Sequence, residues 1–546
     1  PFTFTAVDWA DEELPLAYEF YTQSTYPLEV DASLSAVGSL TPKRSVSTSQ
    51  VTPGSEEEGN LVKVLVRVFD SLSASVTAYE TFEAKRAKPD EDAGETVESL
   101  IQDNFDAKMA AAQEENDVDQ ITALQGATMG TANSPLYCTP VDTAGVETTC
   151  AALNRAPCNN SPRPMNNVCG ECLTGYSVVF VPDPLDNSAC VSDDRRRLQS
   201  ANGESCGAND DCLYGNCENG LCNMPMKTCG VNSTAGVCSG NGDCIYLDHK
   251  AEPVEDCRLG DSDCFAYCSC NQTVSSDGGP WFGSSCELSN STYYDRDMLR
   301  YSICDSIVLV DDKTSPSQSY LSNVLQSLAD GLKPFEMRSN ARSRCAEAVT
   351  AVFRVIEADT ENEYFNGNSP GADLENAVTI LSLMTDVYIN AALYDLEDDT
   401  SSMVADEEDS SWLFDLAHLL QNKIQGTMSK GASALEITST HLRIKTYYSE
   451  ASTFAGATIQ PAQTDEMSTY GLVQPTSIIL PSTGFGSCSS DDYVSFGIME
   501  WGIMPVAYSN YSLIEDIEDS LVQLTIAMPD STPSGTKANY TIEVTL

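Results

Sequence analysis

Hydrophobic and polar positions alternate most regularly where Val62, Val64, Val66 and Val68 are interleaved with Lys63, Leu65 and Arg67. A period of two sends every second side chain to the same face, which predicts a half-buried strand. A second alternation, Ser75-Val76-Thr77-Ala78-Tyr79-Glu80-Thr81-Phe82, follows an Asp70-Ser71-Leu72-Ser73 turn and predicts another. The opening run Phe4 to Asp11 and the run Leu14 to Phe20 read as a further strand pair. Residues 1–88 are therefore expected to form a β-sandwich. The period then lengthens. From Glu91 to about Leu124 a stripe of Val97, Leu100, Ile101, Phe105 and Met109 predicts a helical linker over 89–130, the stripe being a packing face rather than a binding groove.

Helical spacing returns over 293–432. Leu321, Val324, Leu325 and Leu328 follow Pro316, near a helix start. Val349, Val352, Phe353 and Ile356 mark a second helix; Leu374, Ala377, Val378 and Leu381 a third; Leu413, Leu416, Ala417 and Leu420 a fourth. The acidic stretch Asp395 to Asp409 reads as a solvated linker. Over 433–546 the pattern is β-rich again, with strand candidates at Thr438–Tyr447, Ser477–Leu480, Tyr493–Trp501, Leu521–Met528 and Tyr540–Leu546. The fold class expected is multidomain α+β.

Cysteine usage changes the picture between these ends. Eighteen of the 21 cysteines lie from Cys138 to Cys286, leaving Cys304, Cys345 and Cys488 outside. They fall into a cysteine-rich module at 131–200, a compact one at 201–226 with Cys206-x5-Cys212-x4-Cys217-x4-Cys222, and a third at 227–292. Segments this small bury too little apolar surface to fold alone, so disulfides take the place of a core and an oxidising compartment is implied. Zinc is the competing reading of clustered cysteines. The chain has three His in all and C-x2-C only at Cys169 and Cys172, so no metal is expected.

The third module has Cys229-x8-Cys238-x5-Cys244, then Cys268-x-Cys270, then Trp281-Phe282-Gly283-Ser284-Ser285-Cys286. It resembles an epidermal growth factor (EGF) module, which closes as C-x-C and then aromatic-Gly-x-x-C. The resemblance implies the pairs Cys229–Cys244, Cys238–Cys268 and Cys270–Cys286. The chain between Cys244 and Cys268 is longer than that pattern, and Cys257 can pair with Cys264 inside the extra length. Cys169-Gly170-Glu171-Cys172-Leu173-Thr174-Gly175-Tyr176 is similar to EGF-like repeats of large protist surface proteins. Cys304 and Cys345 are placed to staple two helices.

A length of 546 residues corresponds to roughly three to five domains. The formal net charge of −52, from 29 basic and 81 acidic residues, argues against nucleic acid and anionic lipid as partners. Hydrophobic content of 41% is enough for real cores, so the acidity decorates folded domains. Two readings of the carboxylates stay open: loose Ca²⁺ binding, and a solubilised surface in salty surroundings. No resident cofactor is expected. No run approaches the roughly 18 apolar residues of a membrane span. The chain begins at Pro1 without a signal segment and reads as a mature or excised piece of a longer secreted protein. Asn-x-Ser/Thr acceptor sites at Asn159, Asn232, Asn271, Asn290, Asn510 and Asn539 predict an N-glycosylated protein. The basic run Arg195, Arg196 and Arg197 is either a processing site or a linker paired with its acidic neighbours.

Two further resemblances follow. Trp9-x-Asp11 with Pro15-Leu16-x-Tyr18-x-Phe20, then Val62-x-Val64-x-Val66-x-Val68-Phe69-Asp70, resembles the immunoglobulin (Ig)-like module of the receptor-for-egg-jelly (REJ) region of polycystin-type proteins. A helical bundle followed by a β-sandwich, with Trp501-x3-Pro505-x2-Tyr508 and then Leu521-Val522-Gln523-Leu524, resembles the GAIN-type domain of polycystins and adhesion receptors. That family's autoproteolytic His-Leu-x-Thr/Ser step has no counterpart to carry over, because His441-Leu442 is followed by Arg443-Ile444 early in the β region.

No catalytic motif stands out: G-x-S-x-G, H-E-x-x-H and the phosphate-cradling G-x4-G-K-[ST] are missing, and His249, His418 and His441 read as structural. No enzymatic activity is expected. An odd cysteine total leaves one without an intrachain partner, and Cys488, remote from all others, is the candidate for an intermolecular bond. The favoured function is a structural or adhesion glycoprotein at a cell or flagellar surface, a subunit of a flagellar-hair (mastigoneme-like) filament whose partners are other protein chains. The alternative is the ectodomain of a polycystin-like adhesion or mechanosensory receptor. A soluble carbohydrate-binding or protease-inhibitory module is a weaker third.

Overall fold

The computed structural model describes residues 2–7, 16–23, 35–37, 43–48, 51–54, 59–71, 74–86, 88, 96–115, 118–133, 149–156, 169, 172–173, 176–178, 190–192, 204–208, 212, 217–224, 226–227, 229, 231–232, 236–248, 252–258, 261, 264–272, 280–311, 318–359, 370–394, 411–429, 431–463, 477–480, 493–502, 521–527 and 543–545. The chain divides into two compact units, Pro1–Ile245 with Ala266–Val352 and Tyr246–Phe265 with Phe353–Leu546.

The first unit opens with β1 (Phe2–Thr5), β2 (Ala17–Gln23), β3 (Ser35–Ala36), β4 (Ser45–Thr48), β5 (Leu61–Phe69) and β6 (Ser75–Glu83). They form a four-stranded sheet in the order β3-β2-β5-β6 and a two-stranded sheet β1-β4. The two opening strands, expected to pair, lie in different sheets: β1 pairs with β4, and β2 with β5 and β3. Burial explains this. Phe4 of β1 and Val46 of β4 pack against Leu16, Tyr18, Phe20 and Val68, so the strands face each other across a core instead of sharing an edge. Strand β5 is covered on both faces, another departure from the half-buried reading. Val62 and Val68 are buried on one side and Lys63 and Leu65 on the other, with the Lys63 ammonium 4.3 Å from the centre of the Tyr79 ring.

Two helices follow, α1 (Val97–Glu115) and α2 (Val118–Asn133). Expected as a linker, they pack instead on each other and on two helices beyond the cysteine-rich stretch, α3 (Asn290–Asp311) and α4 (Gln318–Gly331). The stripe supplies the reason. Ile101, Phe105 and Met109 on α1 and Ile121 and Leu124 on α2 are all buried, and each contributes about 2 kcal/mol by leaving water. Polar contacts fix the register: Gln102 Nε2 donates to Ser302 Oγ at 2.8 Å, and Gln125 Nε2 to Ser306 Oγ at 2.8 Å. The cysteine-rich residues are thus an insertion between two halves of one helical bundle.

Within the insertion, small hairpins are closed by disulfides. Tyr176–Val178 pairs with Cys190–Ser192 beside the Cys172–Cys190 bond, and Cys150 is bonded to Cys169. In the compact module Cys206–Cys217 and Cys212–Cys222 bracket a hairpin, Cys217–Glu218 against Leu221–Cys222. Its turn is Asn219-Gly220, both at positive φ (54° and 80°), the pair that a two-residue hairpin loop requires.

In the second unit, strands Leu435–Thr438, Leu442–Glu450, Tyr493–Trp501 and Leu521–Ala527 form an antiparallel sheet in that order. The single strand expected from Thr438 to Tyr447 is broken by a turn, where Ser439 N–H and Oγ both bond the Leu442 carbonyl. Helices α6 (Pro370–Tyr394) and α7 (Ser411–Thr427) pack on this sheet, while α5 (Ser339–Ala358) precedes them. Leu374, Ala377, Val378 and Leu381 of α6 are fully buried, and Trp501 meets Phe414 of α7 edge-on at 5.4 Å. A smaller sheet joins Thr458–Ile459, Ser477–Ile479 and Glu543–Thr545. Residues 395–410, including the acidic stretch, lie outside the described residues.

Candidate functional site

The EGF-like segment is closed by Cys229–Cys244, Cys238–Cys268 and Cys270–Cys286, with Cys257 bonded to Cys264 in the extra length. Gly242 is required here: a Cβ would lie 2.6 Å from the Ser269 carbonyl oxygen and 2.7 Å from the Cys286 sulfur. The segment's last turn runs directly into α3. Trp281–Phe282 pairs with Leu288–Ser289, and the Phe282 ring stacks on Tyr293 of α3 at 4.1 Å. Tyr293 in turn donates its hydroxyl to the Met337 carbonyl at 2.9 Å, which carries the contact to the turn Pro334–Glu336.

Charged groups converge at the same junction. Arg296 Nη1 lies 2.5 Å from Glu336 Oε1, and Arg300 Nη2 lies 2.7 Å from Glu336 Oε2. Arg296 Nε also reaches Glu98 of α1 at 3.4 Å. Burial pushes the Glu336 carboxyl up, but the two guanidiniums outweigh it and hold the group at about 2. The Glu287 carboxylate accepts the Ser285 N–H at 2.9 Å and the Ser285 hydroxyl at 2.8 Å. Burial still raises its pKa, and the nearby Glu336 charge adds to the rise. Gly283, at φ 97°, is pressed against Glu287, since a Cβ there would lie 2.6 Å from its Oε2. Asp297 accepts the Arg338 N–H at 2.6 Å, while burial raises its pKa. This arrangement clamps the end of the EGF-like segment to the bundle.

Sequence reasoning missed Arg296, Arg300, Glu336 and Glu287. The available signal was two arginines one turn apart in an acidic chain, on a helix whose other turns carry apolar groups.

A second polar cluster surrounds His441, in the second unit. Its Nε2 lies 2.8 Å from Asp386 Oδ1, its backbone N–H donates to Ser382 Oγ at 2.9 Å, and its carbonyl accepts the Gly502 N–H at 2.9 Å. Ser382 and Asp386, one turn apart on α6, therefore hold the backbone and the ring of the same residue. Phe265, from the extra length of the EGF-like segment, sets its ring edge-on to His441 at 4.7 Å. Gly502 leaves it room, since a Cβ there would meet the Phe265 ring at 2.7 Å. The cross-strand neighbours Arg443 and Glu500 form an ion pair of 2.9 Å, both buried.

Two sulfur triplets lie close together, Cys206, Cys212 and Cys222, and Cys229, Cys238 and Cys268. All six cysteines are in disulfides, so neither triplet offers a thiolate to a metal. Cys304 of α3 is bonded to Cys345 of α5. Asn271 and Asn290 are exposed, Asn290 at the first position of α3, and Asn232 lies in the strand Val231–Asn232. His418 lies on α7. Cys488, Arg195, Arg196, Arg197, His249, Asn159, Asn510 and Asn539 lie outside the described residues. Among the described residues no helix is long and apolar enough to cross a membrane.

Residues 1–127 match the REJ domain. The REJ segment thus runs past β6 through α1 and into α2, so the match takes in the helices that pack on α3 and α4. No curated protein matches the chain. Among solved structures, the full extracellular region of zebrafish Gpr126/Adgrg6 is similar over 40% of this chain and 26% of its own, at 14% identity and a TM-score of 0.26. A likeness of that size carries no argument. With its REJ segment and nine disulfides among the described residues, the chain has the make-up of an extracellular protein.

Proposed function

We propose that the chain is a non-catalytic ectodomain of the polycystin or adhesion type, which presents a REJ segment on a disulfide-stapled support. The observation that carries this reading is the REJ match over residues 1–127 on a helical bundle that also clamps an EGF-like segment. In this reading the two facing sheets of the N-terminal region are Ig-like. In the same reading residues 293–432 supply the helical part and residues 433–546 the β-rich part of a GAIN-like unit. The buried ion pairs and disulfides keep the modules rigid, so that force or a bound neighbour is transmitted instead of absorbed. Partners are other protein chains, and Asn271 and Asn290 carry glycans. No resident cofactor is proposed, and loosely held Ca²⁺ is the one ion the acidic surface suits. The flagellar-hair filament reading rests on analogy with surface proteins of similarly mixed modules, and it takes second place.

Bead aggregation tests the proposal. Beads coated with the secreted chain, alone and mixed with cells bearing surface proteins of the same source, should adhere to cells or to each other in a saturable way. Regular filaments in the soluble protein without adhesion would favour the filament reading. The absence of both adhesion and filaments would contradict the proposal, and so would turnover of a substrate.

A further inference from the structure

Strand β6 ends the four-stranded sheet β3-β2-β5-β6. Its pattern of bonds to β5 follows from the two ends of the hairpin, where the Asp70 N–H bonds the Ala74 carbonyl at 3.0 Å and the Ala84 N–H bonds the Asn60 carbonyl at 2.9 Å. In an antiparallel ladder, hydrogen-bonded and non-bonded pairs alternate. With Phe69 opposite Ser75 and Leu61 opposite Glu83, the even-numbered residues of β6 therefore bond β5. Ser75, Thr77, Tyr79, Thr81 and Glu83 turn their N–H and C=O groups to the outer edge. Side chains on both faces of this strand are open as well: Val76 is 53% exposed and Tyr79 59%. Native sheets blunt such edges by shortening them or by placing Pro or Lys along them. The opposite edge, β3, is two residues long, whereas β6 runs for nine residues with neither Pro nor Lys.

We propose that the outer edge of β6 pairs antiparallel with β6 of a second copy of this chain, about a two-fold axis at Tyr79 that continues the sheet from one molecule into the other. A two-fold axis normal to a sheet pairs residues of the same face, and the run Ser75-Val76-Thr77-Ala78-Tyr79-Glu80-Thr81-Phe82-Glu83 suits this centre. Around Tyr79, Thr77 meets Thr81, Val76 meets Phe82, Ala78 meets Glu80 and Ser75 meets Glu83. Apolar groups thus face apolar groups, and no carboxylate lies directly opposite another. Moving the centre to Ala78 sets Val76 against Glu80, and moving it to Glu80 opposes the two Glu80 side chains. The bonded pairs are then Tyr79 with Tyr79 and Thr77 with Thr81, whose backbone groups already point outward. Lys63 holds the Tyr79 ring at 4.3 Å from within its own sheet, and Lys85 pairs with Glu83 at 2.6 Å. The two Glu80 carboxylates lie on the diagonal and each copy carries a net charge of −52, so added salt should strengthen the contact by screening both. This inference rests on the reading that the partners are protein chains, and names one of them as a second copy.

Sedimentation velocity of the secreted full chain, over a wide range of concentration and at low and high salt, tests this. The expected result is a monomer–dimer equilibrium that shifts toward dimer with concentration and with salt. Tyr79→Glu sets like charges opposite each other at the axis and should weaken dimerisation about tenfold. Thr77→Pro removes an outward N–H that β5 does not use, and should weaken it as well. Both side chains are exposed, so both variants should keep the parent's urea unfolding midpoint. Should either unfold early, Tyr79→Cys decides. Mild oxidation of that variant should give a reducible cross-linked pair in higher yield than Tyr294→Cys, a control at an exposed position of α3. A chain that stays monomeric at every concentration and salt would overturn the inference. So would a dimer that both edge variants leave unchanged, or equal cross-linking through the two cysteine variants. A monomeric chain whose coated beads still adhere to cells would overturn this inference alone and leave the adhesion reading standing.

Discussion

Arg296 and Glu336 lie 2.5 Å apart, Nη1 to Oε1, and the same guanidinium reaches Glu98 through Nε at 3.4 Å. One side chain of α3 therefore ties α1 to the turn before α5. In doing so it links the REJ segment to the bundle half that follows the cysteine-rich insertion.

The titration of Glu336 gives the first prediction. Its folded pKa is held at about 2, below the ordinary 4.5, so its contribution is fully present above the ordinary value and is lost as pH falls from there toward about 2. That contribution is about 3 kcal/mol at neutral pH. Glu336→Gln should lower stability at pH 7 by about 3–5 kcal/mol, because two buried guanidiniums lose their anion. It should also flatten the fall in stability across the acid range. Urea unfolding of both proteins between pH 7 and pH 3 measures this.

Glu287 should behave with the opposite sign. Burial, with some help from the Glu336 charge, holds its pKa above the ordinary value. Ionisation at neutral pH therefore costs stability, and the cost is relieved as pH falls. Glu287→Gln keeps an oxygen for the Ser285 N–H and removes the charge, so stability at pH 7 should stay level or rise by about 1 kcal/mol. A loss as large as that of Glu336→Gln would show that the carboxylate itself holds the junction.

The pair Arg443–Glu500 is buried between central strands, with an N–O distance of 2.9 Å. Burial lowers the Arg443 pKa, and the Glu500 charge opposes that shift. Arg443→Met alone should cost about 3–5 kcal/mol by taking the cation away from a buried carboxylate, whereas Arg443→Met with Glu500→Leu should cost far less. A double-mutant cycle by chemical denaturation reads the difference. Additive losses would mean that the two charges do not act as a pair.

Much of the secondary structure was legible because it depends on local periodicity. The Leu61–Phe69 strand and the apolar stripes of α1, α4, α5 and α6 follow from spacing within a few turns. What the spacing could not give is partner choice. Phe4 faces Tyr18 and Phe20 across a core, and Ile101 and Phe105 are buried in a bundle whose other half begins about 190 residues later, at Asn290. The clamp at Glu336 was hidden for the same reason: Arg296 and Glu98 are charges that look solvated until helices far apart in sequence bring them together. Lys63 misleads in the other direction, since a lysine in an alternating strand predicts an outward face, yet here its ammonium is covered by Tyr79.

Disulfide removal should scale with the loop each bond closes. Cys304–Cys345 spans a sequence separation of 41 and Cys257–Cys264 one of 7. Changing both cysteines to Ser should cost about 4 kcal/mol for the first bond and about 2 kcal/mol for the second on chain-entropy grounds. Thermal unfolding of the two double variants orders them, and a larger loss for Cys257–Cys264 would reveal a role for the extra length beside Phe265 beyond loop closure.

If an oxidised, disulfide-stapled support carries the REJ segment, peptide mapping of the secreted, unreduced protein will show it. The expected bonds are Cys229–Cys244, Cys238–Cys268 and Cys270–Cys286 in the EGF-like segment and Cys304–Cys345 between α3 and α5, with no blockable thiol among these eight residues. Free thiols there, or bonds only between cysteines adjacent in sequence, would contradict it.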